Sequence, residues 1–323
     1  MPSVTAHASA KLIIAGEHSV VYRRPALAVP LPDIRVSVSV TAGVPHSGCV
    51  VHMPDIQRSG TLGVDDDPLL ALLADVLHEW RIPIPDLILT VESDIPIASG
   101  MGSGAAVATA LVRACARWYA REVSREEIAG LVYRSEQRLH GTPSGIDNTV
   151  IAYDQPIRFC RRAPAADGRA QSPLITPLAI GAPFHLLIAD TGVRSPTHLA
   201  VAGVRSRHDA DSAHYEAVFD AIAACTHVAQ AALARGDAPL LGMAARQNQT
   251  LLREIGVSNS QIDALVHAAE RAGAYGAKLS GAGAGGVVYA VIDPSDRDDI
   301  TAALRRAGAT AVLATTVTPH AAE

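Results

Sequence analysis

Cysteine, aromatic residues and lysine are all scarce in this chain of 323 residues. The four cysteines are far apart and include no CxxC pair, lying at Cys49, Cys115, Cys160 and Cys225. This spacing excludes a disulfide framework or a zinc site of paired cysteines, and it predicts reduced thiols in a cytoplasmic protein. Aromatic residues make up only 4% of the chain, so we expect a core built mainly from small aliphatic side chains.

Long apolar runs and clustered positive charge are also missing. No apolar stretch approaches the ~20 residues that a membrane-spanning helix needs, and residues 1–14 lack the long apolar segment of a secretory signal. The net charge is −5 and no run of Lys or Arg stands out, which argues against nucleic acid as the main partner. We therefore expect a cytoplasmic protein of two domains that has neither membrane nor nucleic acid as a partner.

Two common nucleotide-binding patterns are absent as well. The pattern GxxxxGK[ST] needs a lysine after its last glycine, and no lysine follows Gly104. The spacing Gly100-x-Gly102-x-Gly104 does not match GxGxxG, and we find no acidic residue placed to bind a ribose after such a turn. These absences argue against a P-loop NTPase and against a dinucleotide-binding oxidoreductase.

A glycine-rich stretch nevertheless joins a predicted strand to a predicted helix. Residues 87–92 (LILTVE) alternate apolar and polar side chains, residues 96–104 are small and glycine-rich, and Ala105 begins an apolar helical segment. Glycines allow the backbone to approach an anion, and the free N–H groups at a helix start attract phosphate. A tight turn without a ligand is the alternative. A second glycine-rich loop at residues 278–286 favours a nucleotide held between two domains.

The rest of the pattern predicts an α+β protein. A polar stretch at residues 162–173 predicts a surface loop near the end of the first domain, and the predicted domains are 1–180 and 181–323. Ser124 and Glu127 form the signature of a helix N-cap. Predicted strands are 12–14, 20–22, 33–41, 87–92, 150–152, 157–160, 184–189, 287–292 and 311–317, with a short one at 49–52 in an otherwise loop-like segment 42–66. Predicted helices are 68–80, 105 onward, 125–139, 198–207, 215–235, 239–255, 258–272 and 296–307.

Three charged residues are candidates for chemistry. Asp147 falls in a glycine-rich segment, where a predicted loop would let it approach a ligand. Lys11 is one of only two lysines, the other being Lys278, in a chain with 25 arginines, which indicates that a compact charge is needed there. Glu136 lies near the end of a predicted helix. Phosphoryl transfer requires a carboxylate, a cation and Mg²⁺ around the phosphates. The alternatives are a solvated lysine on a strand and a solvated helix carboxylate.

Five segments in order resemble the GHMP kinase superfamily, which includes galactokinases and the homoserine, mevalonate and phosphomevalonate kinases. The segment at residues 140–148 (HGTPSGIDN) is close to the one that marks the mevalonate kinases within the superfamily. The other four are residues 11–22 (KLIIAGEHSVVY), 96–106, 197–205 and 278–286.

The resemblance implies both a fold and an activity. The implied architecture is the two-domain GHMP kinase fold, with an N-terminal domain like ribosomal protein S5 domain 2, a C-terminal ferredoxin-like α/β sandwich, and the active site in the cleft between them. The implied reaction is ATP-dependent phosphorylation of (R)-mevalonate to 5-phosphomevalonate in isoprenoid biosynthesis. ATP would be the co-substrate and Mg²⁺ the cofactor, and a homodimer is compatible with the resemblance.

The resemblance also implies residue roles. Asp147 would be the base or orienting carboxylate for the substrate hydroxyl, with Lys11 beside it, and Glu136 and Ser103 would bind Mg²⁺. The implied ATP-binding residues are Pro96, Ser99, Gly100, Met101, Gly102, Ser103, Gly104, Ala105, Gly281 and Gly283. The implied substrate-binding residues are Glu17, His18, Ser144, Arg194, Thr197 and Ala282.

Two positions depart from the family pattern. Gly104 stands where the family usually has a serine that binds Mg²⁺, and Arg194 lies one position from the usual arginine that binds the substrate carboxylate. The second departure leaves open a kinase that acts on another hydroxyl substrate, such as a different isoprenoid acid or a sugar. A nucleotide-binding regulator without catalysis is the remaining alternative.

Overall fold

The computed structural model describes residues 3–96, 99–141, 143–169 and 171–319. Residues Ile97, Ala98 and Thr142 of the predicted motifs lie outside these ranges. The chain forms two compact units that interleave along the sequence. The first unit comprises Met1–Ala10, Pro32–Ile97 and Gly102–Asp154, and the second comprises Lys11–Leu31, Ala98–Met101 and Gln155–Glu323.

This division differs from the two continuous domains predicted from the sequence. The difference arises because residues 11–31 and 98–101 belong with the C-terminal part of the chain. Two long strands, Ser3–Ala15 and Ala26–Ala42, run from one unit into the other. A single boundary at residue 180 stays a prediction.

Both units combine strands and α-helices. In chain order, the described strands are β1 Ser3–Ala15, β2 Ala26–Ala42, β3 Cys49–Met53, β4 Arg58–Thr61, β5 Leu87–Ser93, β6 Ile157–Cys160, β7 Leu174–Pro177, β8 Phe184–Asp190, β9 Gly276–Ser280, β10 Val287–Ile292 and β11 Ala311–Val317. The described α-helices are α1 Pro68–Glu79, α2 Ser103–Trp118, α3 Arg125–His140, α4 Ile146–Tyr153, α5 Thr197–Ala210, α6 Ser212–Arg235, α7 Ala238–Glu254, α8 Ser260–Arg271 and α9 Arg297–Arg306.

The first unit contains a group of paired strands and a group of helices that pack against one another. Strands β4, β3, β5 and the second half of β2 lie side by side, and the β3–β5 pair is parallel. Val36, Val38 and Val40 of β2 are buried, as the alternation in this segment predicts. Helices α2, α3 and α4 pack against one another, so the segments that carry the predicted phosphate and metal residues are neighbours in this unit.

The second unit contains an antiparallel sheet with strand order β11-β8-β10-β9. Helices α6, α8 and α9 contribute Phe219, Leu265 and Leu304 to a hydrophobic core that also includes residues of β8, β9 and β10. In the same unit, β6 pairs with the start of β2 and with β7. The core is built mainly from Ala, Val, Leu and Ile, as the low aromatic content predicts.

Two predicted strands are helical instead. Residues 150–152 lie within α4, where Val150 and Ile151 are buried. Their β-branched side chains favour strands, but packing of the helix against its neighbours overrides that preference. Residues 19–22 form a 3₁₀ helix, Ser19–Tyr22. A short apolar run does not distinguish a strand from a buried helical turn.

Helix α6 is long and apolar enough, by length and composition, to cross a membrane. Its residues Tyr215, Phe219 and Ile222 belong to the hydrophobic core of the second unit. A core helix satisfies the same criteria of length and composition. The expectation of no membrane partner stays a prediction.

The N-cap of α3 gives a direct test of how sequence determines this fold. The Ser124 side chain accepts a hydrogen bond from the Glu127 N–H, which confirms the predicted cap. We expect Ser124→Ala to lower the free energy of unfolding by about 1 kcal/mol, and Ser124→Asn to retain most of it. Urea unfolding monitored by circular dichroism measures both. The control is Ser212→Ala at an exposed position in the first turn of α6, for which a change above about 0.5 kcal/mol would be unexpected. Equal losses at both sites would contradict the capping role.

Candidate active site

The start of α2 is a helix end suited to binding an anion. Its N-cap is Gly102, which adopts a left-handed conformation with φ 77° and has no side chain to satisfy the first N–H groups. The first intrahelical bond runs from the Ala106 N–H to the Gly102 carbonyl. The N–H groups of Ser103, Gly104 and Ala105 therefore have no partner within the helix, and together with the helix dipole they favour a phosphate.

The carboxylate of Glu136 lies against this same helix end. A Cβ atom placed on Gly104 would lie 3.2 Å from Glu136 Oε1, which is closer than most side-chain contacts. Glu136 is buried near the C-terminal end of α3, so the alternative of a solvated helix carboxylate is wrong. A carboxylate beside a helix end that favours phosphate would repel a bound phosphate unless a cation offset the two negative charges.

Asp147 belongs to a helix, not to the predicted loop. The glycine-rich segment ends at Gly145, which has φ 90° and is the N-cap of α4. Asp147 lies in the first turn of that helix and is partly buried. Ser144 Oγ accepts a 3.4 Å hydrogen bond from the Ile146 N–H. The first turn of a helix holds a carboxylate more rigidly than a loop does, and the helix dipole favours its negative charge.

Lys11, Gly100 and the glycine-rich loop at residues 278–286 all belong to the second unit. Lys11 Nζ donates a 2.9 Å hydrogen bond to the Gly100 carbonyl. Its side chain is buried, so the alternative of a solvated lysine is wrong. The two loops approach closely, since a Cβ on Gly286 would lie 2.8 Å from the Ser99 carbonyl oxygen. Only glycine allows this approach at φ 77°.

Glu17 and His18, both predicted to contact substrate, are buried and bonded to other parts of the second unit. Glu17 Oε1 accepts a hydrogen bond from Lys278 Nζ in an ion pair. His18 Nε2 lies 2.9 Å from the Ala282 carbonyl oxygen; because a carbonyl only accepts, Nε2 carries the proton. Burial lowers the pKa of His18 to about 4, so the ring is neutral near pH 7.

Arg194 and Thr197, which are also predicted to contact substrate, lie at the surface of the second unit. Arg194 donates hydrogen bonds of 2.6 and 2.7 Å to the two carboxylate oxygens of Asp190. Burial raises the pKa of Asp190, but hydrogen bonds from Arg194 and the Gly192 N–H outweigh burial and the net shift is downward. Thr197 is the first residue of α5 and is exposed. The Asp190 carboxylate therefore already compensates the positive charge of Arg194.

The sequence reasoning missed two partners at this site. Asp190 ends β8 and lies four residues before Arg194; this pairing of opposite charges could have been found from the spacing. The role of Lys278 as the counter-charge of Glu17 had one signal, the scarcity of lysine. Nothing in the sequence pattern connects positions separated by 261 residues.

Comparisons with known proteins decide the family. The model for the GHMP kinase N-terminal domain matches residues 69–155, and that for the C-terminal domain matches residues 229–310. A mevalonate kinase from Pyrococcus furiosus is 32% identical over 96% of this chain and 95% of its own length. The chain belongs to the GHMP kinase family. Another relative of this GHMP kinase, the mevalonate kinase of Methanothermobacter thermautotrophicus, is 31% identical over 94% of each chain.

Solved structures agree with this assignment. The crystal structure of L. major mevalonate kinase in complex with R-mevalonate matches with a TM-score of 0.84 and 26% identity, over 99% of this chain and 97% of that one. The Methanococcus jannaschii mevalonate kinase matches in fold with a TM-score of 0.79 at 21% identity, over 99% and 98% of the two chains. The predicted family, the two-domain α+β kinase fold and the enzyme class are confirmed. The roles of individual site residues stay predictions.

The buried neutral His18 makes a pH-dependent prediction. Its folded pKa lies below its unfolded value of about 6.5, so the unfolded chain binds the extra proton as pH falls from 6.5 toward 4. Stability contributed by His18 is therefore present above pH 6.5 and is lost on acidification. Relative to His18→Gln, we expect the wild type to lose on the order of 2–3 kcal/mol of unfolding free energy between pH 7 and pH 4.5.

The measurement is urea unfolding of both proteins across that pH range. Glutamine keeps an amide donor at this position but does not titrate. A difference between wild type and variant that stays constant with pH would show that His18 does not titrate as a buried neutral ring.

Proposed function

We propose that this GHMP kinase transfers the γ-phosphoryl group of ATP to the primary hydroxyl of (R)-mevalonate, giving 5-phosphomevalonate and ADP. The observation that carries the proposal is the pairing of a bare α2 N-terminus with the Glu136 carboxylate at Gly104. Two relatives that match along nearly the whole chain are mevalonate kinases, and a matching structure is a mevalonate kinase in complex with R-mevalonate. Cytoplasmic location, a homodimeric state and the absence of membrane and nucleic-acid partners belong to the same proposal.

The residues beside α2 fit Mg²⁺ held together with phosphates. Glu136 provides a carboxylate and Ser103 a hydroxyl, which are the hard oxygen donors that Mg²⁺ prefers. No group of three or more His, Cys, Asp or Glu side chains suited to a metal is found in the part of the chain that the structure describes. This is typical of Mg²⁺ sites that depend on substrate phosphates. When bound, Mg²⁺ would neutralise charge on the phosphates during transfer.

The residues of the chain have distinct tasks in the proposed reaction. The N–H groups at the start of α2 bind phosphate oxygens. The positive charge of Lys11 stabilises the negative charge that develops during transfer. Asp147 orients the substrate hydroxyl and accepts its proton. A bond forms between the hydroxyl oxygen and the γ-phosphorus, the bond from that phosphorus to the β,γ-bridging oxygen breaks, and ADP leaves with that electron pair.

One contact supports a second candidate acceptor. Mevalonate carries a carboxylate, and Arg194 is the cation predicted to bind it, but Asp190 already accepts two hydrogen bonds from Arg194. An acceptor without a carboxylate would not need this arginine released. The second candidate is therefore a GHMP kinase that phosphorylates an uncharged hydroxyl compound, such as a sugar.

An acceptor panel combined with one substitution tests the proposal. We expect ATP-dependent ADP release with mevalonate, and not with 5-phosphomevalonate, galactose or homoserine. Because Asn cannot accept the hydroxyl proton, Asp147→Asn should lower kcat by roughly 10²–10⁴-fold and leave ATP binding unchanged. The matched control is Asp154→Asn at the other end of α4, where the amide oxygen can still accept from Ser9 Oγ. Near-normal kcat in Asp147→Asn would contradict the role of Asp147, and turnover of galactose alone would favour the second candidate.

The contact between Gly104 and Glu136 makes a prediction about metal binding. A methyl group at position 104 would displace the Glu136 carboxylate, so Gly104→Ala should weaken binding of the Mn²⁺–nucleotide complex on the order of tenfold. Binding of metal-free nucleotide should change little. Electron paramagnetic resonance of Mn²⁺ and calorimetry measure the two affinities. Gly130→Ala on the same helix as Glu136 is the control, since a Cβ there meets nothing within 4 Å; equal effects from both substitutions would contradict the contact.

A further inference from the structure

The second unit buries two opposite charges with almost no solvent contact. The side chains of Glu17 and Lys278 are 1% and 0% exposed, respectively, and form an ion pair. Burial raises the pKa of Glu17 and lowers the pKa of Lys278, while the charge of each partner opposes these shifts. A buried ion pair is a poor source of stability, because desolvation of both charges offsets their attraction. Its presence calls for a role other than stability.

The pair lies where two distant segments are bonded to each other. Lys278 is in β9, and Glu17 is in the turn between β1 and the Ser19–Tyr22 3₁₀ helix. On one side of the pair, Ser280 Oγ accepts from the Ile13 N–H and donates to the Ile13 carbonyl. On the other side, His18 donates to the Ala282 carbonyl. The bonds on both sides hold residues 13–18 against residues 278–282.

The turn that carries Glu17 is strained at the following residue. His18 has φ 59° and ψ −49°, a backbone conformation that a residue with a side chain rarely adopts. Strain of this kind persists only where surrounding contacts enforce it. Glu17, which forms the ion pair, directly precedes the strained residue. His18 itself forms the hydrogen bond to the Ala282 carbonyl. Both contacts are therefore in place to enforce the conformation.

These contacts reach the predicted phosphate-binding segments of the same unit. Ser280 directly precedes the glycine-rich loop at residues 281–286, and its carbonyl oxygen would lie 3.2 Å from a Cβ on Gly100. Gly100 in turn accepts the hydrogen bond from Lys11 Nζ. A shift of the β9 end would therefore move the loop and the carbonyl that fixes Lys11.

We propose that Glu17 and Lys278 form a positioning pair that fixes the 281–286 loop and, through Gly100, the Lys11 ammonium. The proposal assigns Glu17 a role through Lys278 instead of a contact with the acceptor. Its consequence for turnover rests on the proposed kinase function. Its consequence for the loop does not, because order of the loop is measured without any substrate.

The test is a double-mutant cycle of Glu17→Gln, Lys278→Met and the double variant. Each single variant leaves an uncompensated buried charge, so we expect a lower Tm. The double variant removes both charges and should recover most of the lost Tm. Neutral side chains do not re-form the charge-assisted bond, so hydrogen exchange of residues 278–286 should stay at least tenfold faster than in wild type, and kcat should stay at least tenfold lower.

Tyr289→Phe is the matched control. Tyr289 donates a neutral hydrogen bond to the Ile14 carbonyl between the same segments, and Phe retains the ring beneath Lys278. We expect a modest loss of Tm with kcat within about twofold of wild type, since a single neutral hydrogen bond contributes little net stability.

Three results would overturn the positioning role. Recovery of kcat and loop protection together with Tm in the double variant would make the pair purely structural. Unchanged exchange of the loop in all variants would show that the pair does not fix it. A raised KM for the acceptor in Glu17→Gln, with the loop still protected, would return Glu17 to substrate contact. If the wild type phosphorylates no acceptor, the kinase proposal fails while the exchange measurement still decides the role of the pair.

Discussion

The buried ion pair between Glu17 and Lys278 is the constraint on which the arrangement of the second unit depends. Neither charge is tolerable in a desolvated interior without the other, so the turn at residues 16–18 must stay against β9 for the unit to be folded. The glycine-rich loop begins at Gly281, directly after Ser280, the last residue of β9, so the end of that strand places the loop. Residues 281–286 carry only the methyl side chains of two alanines, so hydrophobic packing of the loop itself can do little to position it.

Backbone groups form the main contacts at both glycine-rich segments. In the first unit, the bare start of α2 presents N–H groups, and Glu136 lies against Gly104 because that position has no side chain. In the second unit, Gly286 allows its loop to approach the Ser99 carbonyl. Glycine at these positions creates room for backbone and carboxylate groups that a phosphate and its counter-ion require.

The sequence predicts most of the helices and the two glycine-rich segments because these depend on local patterns. The Ser124 cap, the long helices of the second unit and the glycine loops are each encoded within a short segment. Residues 150–152 are predicted incorrectly because burial beside α2 and α3 overrides β-branched propensity. Partners such as Glu17 with Lys278 depend on the fold as a whole, and no short-range pattern specifies them. The placement of Asp147 in a helix depends on where the glycine segment ends, which is a matter of one or two residues.

The most direct test of the kinase proposal is the chemical identity of the product. The purified protein, incubated with ATP, Mg²⁺ and (R)-mevalonate, can be followed by ³¹P nuclear magnetic resonance with proton coupling retained. Transfer to the primary hydroxyl predicts a new phosphomonoester signal split into a triplet by the two protons on the adjacent carbon, with one ADP formed per product. Formation of ADP without this signal, or no reaction with mevalonate while another hydroxyl compound is phosphorylated, would contradict the proposed function.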